Sequence, residues 1–219
     1  MTADELQLYY SRRAREYESI YEKPERRSDL TRLKEAVRSL FASQVVLEVA
    51  CGTGYWTQVV AETAKFVTAI DASDEVLEIA RQKRIKEGKV EFRKADAYCL
   101  AQLSGPYTAA LAAFWWSHVP REKIAPFLHS LHHSLAAKGL VVLIDNKYVP
   151  GNSTPISGND ASGNTYQNRK LSDGTEYRVL KNFPSEAELK RSLGSAATDF
   201  CFHELEYYRY ATYRVHKEA

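Results

Sequence analysis

From residue 44 onward, short apolar runs alternate with amphipathic stretches. Val45-Val46-Leu47-Glu48-Val49 is an apolar run broken by one carboxylate, the pattern of a strand covered on both faces. Further strands are predicted over residues 66–70, 90–94, 107–114 and 140–144, with helices over 55–64, 73–87 and 122–136. In the last of these helices Ile124, Phe127, Leu128, Leu131 and Leu135 share one face. The 73–87 helix has Asp74 and Glu75 in its first turn and Gly88 past its end, as the helix dipole and the need for a terminator favour. Strands alternating with helices imply βαβ units and a mostly parallel sheet with helices on both faces.

The flanking regions follow other rhythms. Residues 4–41 read as helical, with Leu30, Leu33, Val37 and Leu40 at helical spacing behind Ser28-Asp29, which can cap a helix. A segment dense in Tyr and Arg, residues 9–17, precedes them, and Tyr21 follows it. Residues 146–166 are rich in Gly, Ser, Asn and Pro and lack apolar periodicity, so a functional loop or lid is expected there. Residues 185–193 read as a helix, and 198–205 and 209–216 as an antiparallel pair of closing strands. The 219 residues suit one domain: a helical cap (1–43), a core (44–146), a lid or substrate loop (147–183) and a closing helix with two strands (184–219).

The densest chemistry follows the first core strand, in Ala50-Cys51-Gly52-Thr53-Gly54. Gly52 and Gly54 allow a sharp turn and a close backbone approach to a ligand at the carboxyl end of a parallel strand. A dinucleotide fingerprint would have a third glycine where Thr57 stands. Glu48 inside the strand suits a cationic ligand and is unhelpful beside a pyrophosphate. Asp71, ending the second strand, can accept hydrogen bonds from both hydroxyls of a ribose. Asp96 and Ala97 follow the third strand, placed to read an adenine edge.

Glu48-Val49-Ala50-Cys51-Gly52-Thr53-Gly54 resembles the first motif of the class I S-adenosylmethionine (SAM)-dependent methyltransferases, Glu/Asp-x-Gly-x-Gly-x-Gly, with Ala50 in the first glycine position. Asp71 matches the family's acidic ribose ligand, and Lys94-Ala95-Asp96-Ala97 is similar to its adenine-reading segment. Leu135-Ala136-Ala137-Lys138-Gly139 falls where the family often has Leu-x-Pro-Gly-Gly. The order and spacing agree over residues 44–146. The resemblance implies a Rossmann-like α/β fold: a doubly wound, mostly parallel seven-stranded sheet with a reversed last strand and an N-terminal helical cap. It implies SAM as cofactor and S-adenosylhomocysteine (SAH) as product. Tyr17, Glu48, Ala50, Gly52 and Gly54 would hold the cofactor, with Asp71, Ala72, Asp96, Ala97 and Phe114.

Phe114-Trp115-Trp116-Ser117-His118-Val119-Pro120 follows the fourth strand, on the acceptor side. It lacks the Asn/Asp-Pro-Pro-Tyr stretch of methylases that act on base amino groups or glutamine side chains. Trp115 and Trp116 are candidates for the wall of a flat or cationic acceptor, with core packing as the alternative. His118 is the candidate general base, with a positioning role as the alternative. Tyr21, Asn146, Tyr166 and Arg169 are further candidates for acceptor contact, and Tyr10 and Arg13 could meet either ligand. The acceptor atom, O, N or S, stays open.

Composition narrows the rest. The net charge of +2 is interspersed, with no Lys/Arg run, so a small-molecule acceptor is expected rather than a nucleic acid. No apolar stretch could span a bilayer, and the first residues are acidic where a secretory signal is positive; no membrane partner and a cytoplasmic location are expected. Cys51, Cys99 and Cys201 form no Cys-x-x-Cys pair. His129, His132 and His133 have helical ligand spacing but no carboxylate within a turn, so no metal is expected. The oligomeric state is unreadable. The competing functions are a nucleotide-dependent oxidoreductase, disfavoured by Glu48 and Thr57, a non-catalytic methyltransferase-like partner protein, and an RNA or protein methyltransferase.

Overall fold

The computed structural model describes residues 3–14, 17–103, 105 and 107–217, with 3–7, 17 and 101 given by backbone only. Five parallel strands form as the apolar runs predict: β1 (Val45–Val49), β2 (Phe66–Asp71), β3 (Val90–Lys94), β4 (Tyr107–Ala113) and β5 (Leu135–Asn146). A separate antiparallel sheet has β7 (Thr165–Lys170) between β6 (Gly158–Asn159) and β8 (Glu176–Leu180). The last two, β9 (Ala197–Glu204) and β10 (Tyr208–Val215), complete the main sheet in the order β3-β2-β1-β4-β5-β10-β9. Strand β10 is antiparallel to both neighbours and is the one reversed strand of the seven. This is the expected Rossmann-like sheet. The chain leaves β1 toward β2 on one side and returns to β4 on the other, so a crevice opens at the carboxyl ends of β1 and β4.

Helices fill both faces. The N-terminal helix α1 (Ala3–Arg13) is followed by α2 (Arg27–Leu40), which packs with α3 (Tyr55–Ala61) on one face through Leu30, Leu33, Val37, Trp56, Val59 and Val60. Next along the chain come α4 (Asp74–Arg81), α5 (Ile124–Ser134) and α6 (Glu186–Leu193). Phe127, Leu128 and Leu131 of α5 pack with Leu189 and Leu193 of α6 on the other face. Ser185 closes a capping box with Glu188 and starts α6 where expected.

Four expectations change. The cap is two helices joined by short helical turns at Tyr17–Tyr21 and Pro24–Arg26, not one helix over 4–41. Asp29 does not cap its own helix: buried in the first turn of α2, it accepts a 2.7 Å bond from the Tyr207 amide and ties the cap to the β9–β10 turn. The helix after β2 stops at Arg81, because the apolar face ends at Ala80 and Lys83 turns away to Glu18. The strand expected over 140–144 begins at Leu135: Tyr107 pairs with Leu135 and Ala109 with Leu140, so residues 136–139 bulge out, with Lys138 at φ 61°.

The expected loop over 146–166 and the segment after it hold the β6-β7-β8 sheet. Its buried residues mix apolar Tyr166, Val179 and Leu180 with polar Asn164, Gln167 and Asn182, which hid the periodicity. Asn182 donates to Asn164 Oδ1 at 3.1 Å and to the Val119 carbonyl at 3.2 Å, and Gln167 donates to the Thr154 carbonyl at 2.6 Å. Every one of these buried amides is hydrogen-bonded, which removes the penalty of burying it.

Candidate active site

The loop after β1 is a series of left-handed residues: Ala50 at φ 52°, Gly52 at 55° and Gly54 at 79°. Gly54 is required twice over, since a Cβ there would also lie 3.1 Å from Ala80 Cβ of α4. Ala50 sustains the same conformation with a side chain, which is strained. Ala50→Gly is therefore expected to raise stability by about 0.5–1 kcal/mol, the relief of strain less the entropy of glycine. A melting temperature at or below that of the wild type would contradict it.

Asp71 anchors this loop. Its Oδ2 accepts from the Gly52 amide at 2.9 Å and its Oδ1 from the Ser73 amide at 3.0 Å. Burial pushes the Asp71 carboxyl up, against these backbone bonds. Glu48 is almost fully buried under the loop, and burial, with the nearby Asp71 charge, pushes its carboxyl up to about 8. Its Oε2 has no hydrogen-bond partner among the described residues. An orphaned buried carboxyl oxygen beside a glycine loop fits a ligand that brings a donor or a positive charge. Glu18, in the helical turn at Tyr17–Tyr21, reaches the same loop, accepting from Thr53 Oγ1 at 2.7 Å and Lys83 Nζ at 2.6 Å.

At the third strand end, exposed Asp96 accepts from the Tyr98 amide at 2.8 Å and Ala97 is buried. Tyr98 packs on Trp115 with ring centroids 5.7 Å apart, and the Trp115 Nε1 is buried without a partner among the described residues. This places the half-buried Trp115 beside Tyr98, on the Asp96 side of the strand ends. Trp116, expected on the acceptor wall, is corrected: 3% exposed, it packs edge-on to Phe127 in the core beneath. Phe114, at φ 59°, turns the chain at the end of β4 and meets Tyr21 edge-on at 5.9 Å. Tyr21 stacks on Tyr55 at 3.8 Å and accepts from Trp56 Nε1 at 3.2 Å, so it closes an aromatic cluster at the end of the Tyr17–Tyr21 turn. The Tyr17 side chain lies outside the described residues.

His118 is fixed from both sides. Its Nδ1 is 2.7 Å from the Leu180 carbonyl, which can only accept, so Nδ1 carries the proton and Nε2 accepts from the Tyr10 hydroxyl, also at 2.7 Å. Burial, reinforced by Lys181, Arg169 and Arg13, holds the imidazole well below its ordinary value. A general base facing the acceptor was expected; the structure makes His118 a neutral ring that orients Tyr10. Arg169 of β7 sits beside Tyr9 and Tyr10 and donates to Gln167 Oε1 at 2.8 Å. Tyr166 is turned away: its hydroxyl donates to Asp160 at 2.8 Å and its ring lies 4.2 Å under the Arg178 guanidinium, so it braces the small sheet. Half-buried Asn146 pairs with Tyr208 at the edge of the crevice.

Sequence reasoning missed Lys181. Almost fully buried, it donates to Ser117 Oγ at 2.5 Å and to Asp145 Oδ1 at 2.9 Å. Nothing in the spacing around it marks it, because it enters the site from the small sheet. Elsewhere, burial pushes the Cys51 thiol up, as befits an inert loop residue, and His132 Nε2 is 2.9 Å from the Tyr213 hydroxyl.

A family model described as a methyltransferase domain matches residues 46–139. The solved DhpI–SAH complex is similar over 98% of this chain and 97% of its own, at 28% identity and a TM-score of 0.79. The DhpI–SAM–HEP complex is 30% identical, covered over 100% of its length and 98% of this one, with a TM-score of 0.78. The chain belongs to the class I SAM-dependent methyltransferases. The PH0226 protein from Pyrococcus horikoshii OT3, at 16% identity and a TM-score of 0.72 over 88% of this chain and 92% of its own, shares the fold. No curated protein sequence matches this one.

The methyltransferase uses SAM and leaves SAH; the bound sulfonium supplies an activated methyl group. The chain's own part is to seat it. The loop from Ala50 to Gly54 would lie against its amino-acid end, the Glu48 oxygen would meet its donors through or beside that loop, and Asp71, with Ala72 following, would face its ribose. Asp96, Ala97, Tyr98 and Trp115 would enclose its adenine. Asp71→Ala removes both the ribose contact and the brace on the Gly52 amide. SAM affinity should fall by roughly ten- to hundred-fold, the worth of about 1.5–3 kcal/mol of charge-assisted hydrogen bonds. Calorimetric titration giving wild-type affinity would remove Asp71 from the cofactor site.

Proposed function

We propose that this enzyme methylates a small molecule. The observation that carries the reading is the roof over the carboxyl ends of the strands. Helix α1 bonds at three places: Tyr10 to His118, after β4, at 2.7 Å, Ser11 to Ser73, after β2, at 2.9 Å, and Arg12 to the Tyr177 hydroxyl of β8 at 3.0 Å. The small sheet closes the other side through Asn182, whose amide donates to the Ser117 carbonyl at 2.7 Å. A side chain of a folded protein or a base in a duplex would have to enter beneath this roof, whereas a small acceptor can be enclosed by it and kept from water. The evenly spread charge, +2 overall, supports the same reading against a nucleic-acid acceptor. The similar protein DhpI has been solved with SAM and HEP together.

The test is incubation with methyl-labelled SAM and, separately, a metabolite extract, total protein and total RNA. Label is expected in a small product. Label confined to protein or RNA would refute the reading, and SAM binding without any transfer would favour a non-catalytic partner protein.

A further inference from the structure

Two carboxyl oxygens stand at the glycine loop without a hydrogen-bond partner among the described residues. One is Glu48 Oε2, in the strand beneath the loop. The other is Glu18 Oε2, in the helical turn at Tyr17–Tyr21. Both bonds that Glu18 accepts, from Thr53 and from Lys83, end on its Oε1. Thr53 lies between Gly52 and Gly54, and the Lys83 stem lies so close to Gly54 that a Cβ there would come 3.4 Å from Lys83 Cγ. Glu18 is therefore seated on the loop itself.

The seat is fixed at both ends. At the far end of the same turn, Tyr21 stacks on Tyr55, the residue after Gly54, with ring centroids 3.8 Å apart, and accepts from Trp56 Nε1. The turn is thus tied to the loop through Thr53 and to the start of α3 through Tyr21. Thr53 is buried, but the Glu18 side chain is 32% exposed, and its Oε2 is open to solvent where Glu48 Oε2 is closed off. A carboxylate with one oxygen held by the protein and the other open is preorganised to accept from a ligand, because little side-chain freedom is left to lose.

The cofactor's own chemistry says what it would accept. SAM and SAH carry donors on the adenine amino group, the ribose hydroxyls and the α-ammonium, and none on sulfur. Asp96 and Asp71, at the ends of β3 and β2, stand where the first two are expected. The α-ammonium belongs to the end that lies against the glycine loop. It is also the positively charged donor, so its bond to a carboxylate is charge-assisted. We propose that Glu18 is a further cofactor ligand, whose Oε2 accepts from the α-ammonium of the methionyl group, with Thr53 and Lys83 as the positioning residues that aim it. An ammonium has three donors, which leaves one for the Glu48 oxygen. The site then selects a cofactor with an α-amino acid tail, and that selection comes from the N-terminal cap as well as from the loop.

The experiment is calorimetric titration of the whole chain with three ligands: SAH, an SAH analogue with hydrogen in place of the α-amino group, and one with hydrogen in place of the α-carboxyl group. The wild type is expected to bind the deaminated analogue about ten-fold or more weakly than SAH, as loss of a charge-assisted hydrogen bond requires. Glu18→Gln keeps the shape and an acceptor for Thr53 and Lys83 but loses the charge. It should bind SAH and the decarboxylated analogue each about ten-fold more weakly than the wild type does. It should bind the deaminated analogue with nearly wild-type affinity. Glu18→Asp, which keeps the charge on a shorter arm, should recover part of the preference for SAH. The ratio of two affinities within one variant does not depend on the fraction folded, so a lower melting temperature leaves the test intact. If Glu18→Gln weakens all three ligands alike, Glu18 only braces the loop and the proposal is overturned. Wild-type SAH affinity in Glu18→Gln overturns it as well. Neither result bears on the small-molecule reading.

Discussion

Asp145→Ala is expected to lower stability by about 3–5 kcal/mol, the usual consequence of breaking a buried ion pair by removing one partner. The Asp145 carboxylate accepts from Lys181 Nζ at 2.9 Å and from the Ser117 amide at 2.9 Å, and it is buried. Without it, Lys181 and Arg209 are left facing each other out of water. For a chain of this length the melting temperature should fall by roughly 6–20 °C. Asp145→Ala combined with Lys181→Met should recover part of the loss, because the stranded ammonium is gone. The sign with pH follows from the charges. Burial pushes the Asp145 carboxyl up, but Lys181 and Arg209 outweigh it and hold it below the ordinary aspartate range. A group depressed in this way contributes stability above its unfolded value, about 3.9, and loses it as pH falls through the folded value. The gap between wild type and Asp145→Ala should therefore be full at neutral pH and close in acid. A variant that melts within about 2 °C of the wild type at pH 7 would mean that water, not Asp145, solvates Lys181.

Trp116→Ala is expected to cost about as much, roughly 3–5 kcal/mol, for a different reason: a large ring leaves a cavity that its neighbours cannot fill. Trp116 packs against Phe127, between the sheet and α5. Its loss should lower the melting temperature and depress SAM binding and turnover together. Trp115→Ala should behave otherwise. That ring is half-buried beside Tyr98, so its removal should weaken SAM binding more than it lowers stability. Melting temperature, SAM affinity and turnover measured on both variants separate these roles. If Trp116→Ala kept its melting temperature and SAM affinity and lost only turnover, the ring would belong to the acceptor wall after all.

The pattern of residues determined the α/β core because each of its features is local. A buried parallel strand such as Val45–Val49 announces itself by an apolar run broken at one position, and a cofactor loop by glycines that take left-handed backbone angles. Asp71 and Asp96 were legible for the same reason: they stand at the ends of strands whose order was already plain. Tertiary structure alone decided the acceptor side. Trp115 and Trp116 are neighbours in sequence, and a half turn of backbone sends one to the crevice and the other to the core. His118 read as a base until Leu180 and Tyr10, 62 and 108 positions away, took its two nitrogens. Lys181 carried no signal at all, since its meaning comes from Asp145 and Ser117 at the ends of β5 and β4, which it meets only when the small sheet folds against them. Apolar burial leaves a period along the chain because it is a property of single residues facing one side. A buried charge network leaves none, because its energy lies in pairs, and the pairs are made only when distant segments meet.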